Sequence, residues 1–553
     1  MSLPASQKPA RGERAPRARS ALSVRDATYA VLRERDLTTL FSNPGSTEVT
    51  FLAELPDDFR FVLALHEGSV VAMATGYAIA RGVPSMVLLH TTAGLGNAVS
   101  ALATARVNRA PLVVVVGQQD RRHLAHQPFL AGQLEGLAGT YPVRVEQPIR
   151  PQEVPAAVDR AWHESTTRRG PALVIVPMDD WLAPADVDSE PASPQRILRA
   201  TAASPGEVGE LAALLADART PALVVGAGAD EPDTRAAVVA LAERLGAPVW
   251  QEAFGARAGF PQDHPLFAGH LPHDRPRLRE TLSPYDAVLV VGAPAFRQYT
   301  YAPGRLVLEG TRVLVVTADS DEALRSPADL TLLAPPASVC EQLVELLPAH
   351  EGRPAPEREI APVPPPGPGE PLRAVHVIDA LAARLPADAI LVEESPSNRP
   401  ELNARVPATS YLSLVSAAMG GLGFALPGAM GLRMGAPGRG VVAVVGDGSS
   451  LYQIQSLWSA VHYRIGAVFV VLQNQGYAVM DQLAGRAEGG NAWPSVDGVD
   501  IAGLATALSC PARTVTTYDE LTEVFDAVLP TLAGREEPLL LEVHIAREPT
   551  SKP

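Results

Sequence analysis

Residues 441–453 read VVAVVGDGSSLYQ: an apolar strand runs into Gly-Asp-Gly-Ser-Ser, and the pattern then turns helical. As a plain turn, GDGSS asks only that Asp or Ser cap the helix SLYQIQSLWSAVHY. A second strand-like run, residues 467–474 (AVFVVLQN), leads into Gln475-Gly476-Tyr477. If the two runs are adjacent parallel strands, their carboxyl ends set Asp447 beside Asn474. One carboxylate, one amide oxygen and a backbone carbonyl form an oxygen donor set suited to Mg2+, which keeps further positions for phosphate oxygens. The helix N-terminus after Ser449 would offer N–H groups to the same phosphates. The pattern points to a diphosphate anchored through a metal ion.

Such a site needs a parallel-sheet scaffold, and the chain writes one three times. PSMVLLH (84–90), PLVVVVG (111–117) and PALVIVP (171–177) are continuous apolar runs, as strands covered on both faces read. PALVVGAG (221–228), DAVLVVGAP (286–294) and RVLVVTAD (312–319) repeat the style, as do AILVEE (389–394), VVAVVG (441–446) and PLLLEVH (538–544). Strands alternating with helical stretches predict an α/β chain of three doubly wound parallel-sheet domains, over about residues 23–190, 205–348 and 372–548. The Pro-rich stretch 351–371 (EGRPAPEREIAPVPPPGPGEP) is expected to be an extended linker. In sheets of this kind ligands gather beyond the carboxyl ends of the strands.

Composition narrows the class. The chain of 553 residues is 46% hydrophobic, enough for several cores, and its net charge of −15 argues against a nucleic-acid binder, which would normally show a basic stripe. Two distant cysteines, Cys340 and Cys510, make neither a disulfide framework nor a zinc cluster and suit a reducing cytoplasm. No apolar run reaches the roughly 18 residues of a membrane-spanning helix. Residues 1–22 hold five Lys or Arg and one Glu without an apolar core segment, so a disordered basic arm is expected rather than a targeting peptide.

GDG, 24 residues and then a pair ending in Asn resembles the thiamine diphosphate motif of the thiamin-dependent decarboxylase superfamily, which usually has Asn-Asn where this chain has Gln473-Asn474. The resemblance implies that Asp447, Asn474 and the Gly476 carbonyl bind Mg2+, with Ca2+ an acceptable substitute. It also implies that Ser397, Gly448, Ser449 and Tyr477 lie near the diphosphate. The cofactor's aminopyrimidine needs a carboxyl group kept from water. Glu67, in LALHEGSVVAMATGYAIARG, stands between a strand-like run and a helix ending near Gly82, and its context resembles the superfamily's activating glutamate. SAAMGGLGFALPGAMG (416–431) is a Gly-rich loop entering a helix. By resemblance, Leu422 is the wedge that bends the cofactor, and the Gly420 carbonyl accepts from its 4′-amino group.

The likeness extends over residues 25 to about 546 and is closest to the benzoylformate decarboxylases, on FSNPGSTEVTFLAELPDDFRFVLALHE, LLHTTAGLGNA, VVVVGQQ, VPMDDW and GGLGFALPGAMG. It implies non-oxidative decarboxylation of a 2-keto acid to an aldehyde through a cofactor ylide and enamine. In that reading Ser46 of NPGS binds the substrate carboxylate and His90 positions a reacting hydroxyl or carries a proton. It also implies at least a homodimer, typically a homotetramer, with each site between the aminopyrimidine domain of one subunit and the diphosphate domain of another. Some positions depart from the pattern. Tyr299 aligns with the family's second active-site histidine, and a phenol is a poorer proton shuttle than an imidazole near neutral pH. Ser416 and Leu483 align with two aromatic pocket residues, and Pro396 with a loop Thr.

Other candidates carry less. GAGAD (226–230) follows a strand but lacks the third glycine of a dinucleotide fingerprint. His123 and His126 in RRHLAHQ have no third ligand nearby and read as a solvated loop. Two rival functions stay open: a carboligase of the same superfamily, favoured by the missing histidine, and a non-catalytic protein that keeps the fold.

Overall fold

The computed structural model describes residues 22–186, 197–350, 354–358, 360–484 and 492–547. The expected basic arm up to residue 21, and residues 351–353 and 359 of the expected linker, lie outside the described residues. The rest of that linker is without helix or strand.

Among the described residues, three six-stranded sheets carry the fold. In spatial order the first runs Arg60–Leu63, Thr39–Ser42, Ser85–His90, Leu112–Gln118, Pro171–Pro177, Arg144–Glu146. The second runs Leu330–Leu333, Arg312–Thr317, Ala287–Val291, Pro221–Val225, Val249–Gln251, Phe267–His270. The third runs Leu414–Ser416, Ile390–Glu394, Val441–Gly446, Val468–Gln473, Leu539–His544, Ala512–Val515. Paired strands are parallel throughout, so the expected α/β architecture of three doubly wound sheets is what the chain adopts. The long Val-rich strands are central and buried along their length, because helices cover both faces.

The first and third sheets share one topology, and each has its switch point, where strand order reverses, between the second and third strands in space. One crevice therefore opens beyond Ser42 and His90, the other beyond Glu394 and Gly446. These two sheets also share a continuous core, reaching from Phe41 and Met73 to Met430 and Phe469, whereas the second sheet has cores of its own. The joint is a helix pair, Glu67–Arg81 against Ala425–Gly435. Its backbones approach so closely that a Cβ on Gly76 would collide with the Gly428 carbonyl, and one on Gly431 with the Met73 carbonyl. Glycine at those positions is a packing requirement.

Candidate active site

At the first switch point, the turn after Thr39–Ser42 carries Ser46, exposed, and the strand Ser85–His90 ends in His90, half-buried. Between them lies a residue with no mark in the sequence. Glu48 is 1% exposed. Its Oε2 lies 3.0 Å from His90 Nδ1 and accepts from the Gly45 amide at 2.8 Å, while Thr47 donates its hydroxyl hydrogen to Oε1. Thr47 Oγ1 is also 2.8 Å from Nδ1. Burial raises the Glu48 pKa, and the hydrogen bonds from Thr47 and Gly45, with the His90 charge, pull the other way. An ionised Glu48 can only accept, so the imidazole hydrogen belongs on Nδ1 and Nε2 is left for other work.

Glu67 opens its helix at the end of a short approach from Arg60–Leu63, and Gly82 closes that helix with φ +71°. The Glu67 carboxyl is buried, and two amides hold it: Asn43 Nδ2 donates to Oε1 at 3.1 Å and Asn97 Nδ2 to Oε2 at 3.0 Å. Two neutral amides thus fix the carboxyl in place, with no cation among its described hydrogen-bond partners.

At the third sheet's switch point the expected juxtaposition occurs. Gly446 pairs with Leu472, and the Asp447 Oδ2 accepts from the amides of Asn474 at 3.1 Å and Gln475 at 2.7 Å. Asp447 is buried, which raises its pKa against those amide hydrogen bonds. Asn474 Oδ1 accepts from the Gly476 amide at 3.1 Å, and Gln475 makes the turn with φ +57°. Ser449 is buried one turn away, Tyr477 packs over Gly448, and Ser397 follows the neighbouring strand Ile390–Glu394. A buried carboxylate with only neutral groups among its described hydrogen-bond donors, next to an amide oxygen, is a donor set that a hard divalent cation fits.

One local expectation needs correction. The helix expected through SLYQIQSLWSAVHY is two pieces, Asp447–Ser450 and Ser456–His462. The break turns Gln453 towards the first domain, where its Oε1 accepts from the Ser69 hydroxyl, two residues beyond Glu67. The interruption is thus the price of bringing the third sheet's switch point against the Glu67 helix.

The Gly-rich loop completes the cluster. Gly420 and Gly423 take left-handed φ values of +77° and +97°, and Leu422 between them is half-buried. Gly421 packs on Ser100 and Thr104 of the helix Thr91–Val107, the helix whose Asn97 holds Glu67. Glu67 and this loop therefore meet the same helix of the same chain. The loop's entry is clasped by Asn108, which donates to the Ser416 carbonyl at 2.9 Å and accepts from the Ala418 amide at 3.1 Å. Arg297 donates to the Ala418 carbonyl at 3.1 Å and to the Phe254 carbonyl at 2.6 Å.

Two residues beyond Arg297, Tyr299 is 59% exposed. Its amide donates to the His273 carbonyl at 2.9 Å, and the His273 ring lies between the Phe254 ring at 5.9 Å and the Tyr299 ring at 6.2 Å. An imidazole thus stands beside Tyr299, and burial lowers its pKa. Ser416 hydrogen-bonds the Gly255 carbonyl at 3.0 Å, Pro396 is half-buried, and Leu483 is exposed on the helix Ala478–Ala484.

The weaker candidates stay apart. In GAGAD a Cβ on Gly228 would meet Gly292 at 2.8 Å, and Asp230 pairs with Arg235 and Arg257, so that crevice is filled by protein. His123 and His126 are exposed around a single 3-10 turn, and no cluster of three metal-binding side chains occurs among the described residues.

Comparison with known proteins identifies the family. Models of the thiamine pyrophosphate (thiamine diphosphate) enzymes match in three parts: the N-terminal TPP binding domain over residues 22–136, the central domain over 208–343 and the C-terminal TPP binding domain over 401–543. Benzoylformate decarboxylase of Pseudomonas aeruginosa is 37% identical over 525 residues, 94% of this chain and 98% of that protein. The solved thiamine diphosphate-dependent 4-hydroxybenzoylformate decarboxylase of Rhodococcus jostii RHA1 superposes with a TM-score of 0.88 at 35% identity, covering 95% of this chain and 99% of the other. Benzoylformate decarboxylase from Polynucleobacter necessarius gives 0.87 at 31%, covering 96% and 100%. Matched by models of all three domains, and by a relative at 37% identity over 94% of its length, the chain belongs to the thiamine pyrophosphate enzyme family.

Proposed function

We propose that the protein is a thiamine diphosphate- and Mg2+-dependent decarboxylase of 2-keto acids, acting on benzoylformate or a similar aryl acid to release an aldehyde. Thiamine diphosphate, when bound, supplies the nucleophilic carbon and electron sink that let a 2-keto acid lose carbon dioxide. Asp447, Asn474 and the Gly476 carbonyl hold the metal, and Ser397, Gly448, Ser449 and Tyr477 border the diphosphate. Glu67 holds a proton at the aminopyrimidine, kept in line by Asn43 and Asn97. Gly420 and Leu422 shape the loop on which the cofactor rests. Ser46 binds the substrate carboxylate. His90, anchored through Nδ1, presents Nε2 to exchange protons with the reacting oxygen.

The observation that carries this reading is the buried Glu48–His90 pair beside Ser46, because it equips the Glu67 side with a substrate-handling group as well as a cofactor-activating one. The carboligase reading rested on a missing histidine. His273 sets an imidazole beside Tyr299, and its stacking on Phe254 supports an aryl substrate.

Exposed Leu65, Met419, Tyr452, Met480 and Leu483 are sequence neighbours of cofactor-side residues, which supports a second copy closing over the site. We take the assembly to be a dimer at least, a homotetramer in full, with domains over about residues 23–190, 205–348 and 372–548. Among the described residues no helix is long and apolar enough to cross a membrane. Cys340 and Cys510, free and buried, support a cytoplasmic setting.

The test is a decarboxylation assay on purified protein with thiamine diphosphate and Mg2+, across aryl, arylalkyl and aliphatic 2-keto acids. Turnover of benzoylformate to benzaldehyde is expected. Silence on every acid with the cofactor bound, and product only when an acceptor aldehyde is added, would give the carboligase; failure to bind the cofactor would give the non-catalytic protein.

A further inference from the structure

Glu394 ends the strand Ile390–Glu394 beneath the Gly-rich loop. Its carboxyl is 2% exposed and accepts three backbone hydrogen bonds: Gly423 N–H to Oε1 at 2.6 Å, and Phe424 and Ala425 N–H to Oε2, each at 2.7 Å. Ala425 begins the helix Ala425–Gly435, so Glu394 takes up the unpaired amides of that helix start as well as the last amides of the loop. The loop is thus pinned at both ends, at Ala418 by Asn108 and Arg297 and at Gly423–Ala425 by Glu394, with Gly420 and Leu422 spanning the gap. Gly423 has little room to shift, since a Cβ there would meet Tyr452 at 3.0 Å and Gln453 at 2.8 Å.

We propose that Glu394 is a positioning residue for the cofactor: its carboxylate sets the shape of the Gly420–Leu422 span, and thereby the affinity and alignment of thiamine diphosphate. This rests on the reading of that loop as the cofactor's support. Three amide donors on one carboxylate are charge-assisted and short, and a neutral carboxyl group cannot accept from all three as well. Burial pushes the Glu394 pKa up to about 7, against those amides and with the Glu393 charge adding to the rise. The charged groups facing it from neighbouring elements are few. Glu393 is paired to Arg399 at 2.7 Å, while among the described residues the loop, the strand Val441–Gly446 and the start of the helix Ala425–Gly435 offer none. As pH falls through about 7 the carboxyl therefore gains a proton and loosens its hold on the loop.

Two measurements test this. Thiamine diphosphate binding to metal-loaded apoprotein, followed by intrinsic fluorescence, is expected to be at least tenfold weaker for Glu394→Gln than for wild type at pH 8, with Glu394→Asp in between. Hydrogen exchange of wild-type protein is expected to show that the Gly423, Phe424 and Ala425 amides lose protection between pH 8 and pH 6, beyond the intrinsic pH effect. Wild-type affinity in a folded Glu394→Gln, or amide protection unchanged across that range, would overturn the proposal. Wild-type protein that binds no thiamine diphosphate would instead overturn the reading on which it rests.

Discussion

The most informative single substitution is Glu48→Gln. The side chain has no exposed surface, is nearly isosteric after substitution, and touches His90 on Nδ1. The Gly45 amide and Nδ1 share Oε2, so Gln must keep its oxygen there and turn its –NH2 towards the Thr47 hydroxyl. The imidazole then still donates from Nδ1, but to a neutral oxygen, and loses the negative charge that steadies it when Nε2 takes up a proton. A hydrogen bond to a charged partner contributes about 1.5–3 kcal/mol, and each ~1.4 kcal/mol is tenfold in rate, so kcat/KM should fall about 10- to 150-fold. The assay couples aldehyde formation to an alcohol dehydrogenase, with circular dichroism and cofactor affinity measured alongside. Cofactor affinity should stay within about twofold of wild type, because Glu48 serves the substrate side. A folded Glu48→Gln enzyme with wild-type kcat/KM, or one whose whole loss lies in cofactor binding, would refute the reasoning.

Glu67→Gln should retain the fold and lose about 10²- to 10⁴-fold in kcat, the usual range for a removed acid–base group, read from initial rates at saturating cofactor. Dialysis against a chelator should abolish activity, and Mg2+ or Ca2+ should restore it; Asp447→Asn should bind thiamine diphosphate at least tenfold more weakly even in excess Mg2+, by fluorescence titration. Gly431→Ala would press a methyl into the Met73 carbonyl and should cost about 3 kcal/mol, visible as a lowered thermal midpoint. His273→Ala should lower kcat for aryl acids, and Tyr299→His in that background should recover part of it; an indifferent His273→Ala would return weight to the carboligase.

What the sequence disclosed follows from how local each signal is. Valine runs such as residues 112–118 and 468–473 announced central parallel strands because they are buried on both faces and need no partner to be read. Short strands such as Leu414–Ser416 and the exposed, polar Ala512–Val515 are held by neighbours and had no such signal. Asp447 and Asn474 were legible because two adjacent long strands fix their spacing. Glu48 was not, since its partner His90 is 42 residues on and the pair exists only once the switch point forms. His273 hid in the same way, 26 residues before Tyr299 in the chain and beside it in space. The helix expected after GDGSS failed because Gln453 answers to Ser69, a residue 384 positions away.

The core common to the first and third sheets has a consequence for how the protein comes apart. The central sheet lies between them in the chain yet outside their shared interior, so to those two it is a long closed loop with a fold of its own. Loop-closure entropy grows only slowly with length, so the detour costs the joint interior little. The outer two should melt as one cooperative unit, although they lie at opposite ends of the chain, while the middle follows its own transition. Denaturant titration should accordingly show Trp250, in the middle, reporting a midpoint different from that of Trp181 and Trp458, and those two, 277 residues apart, reporting the same one.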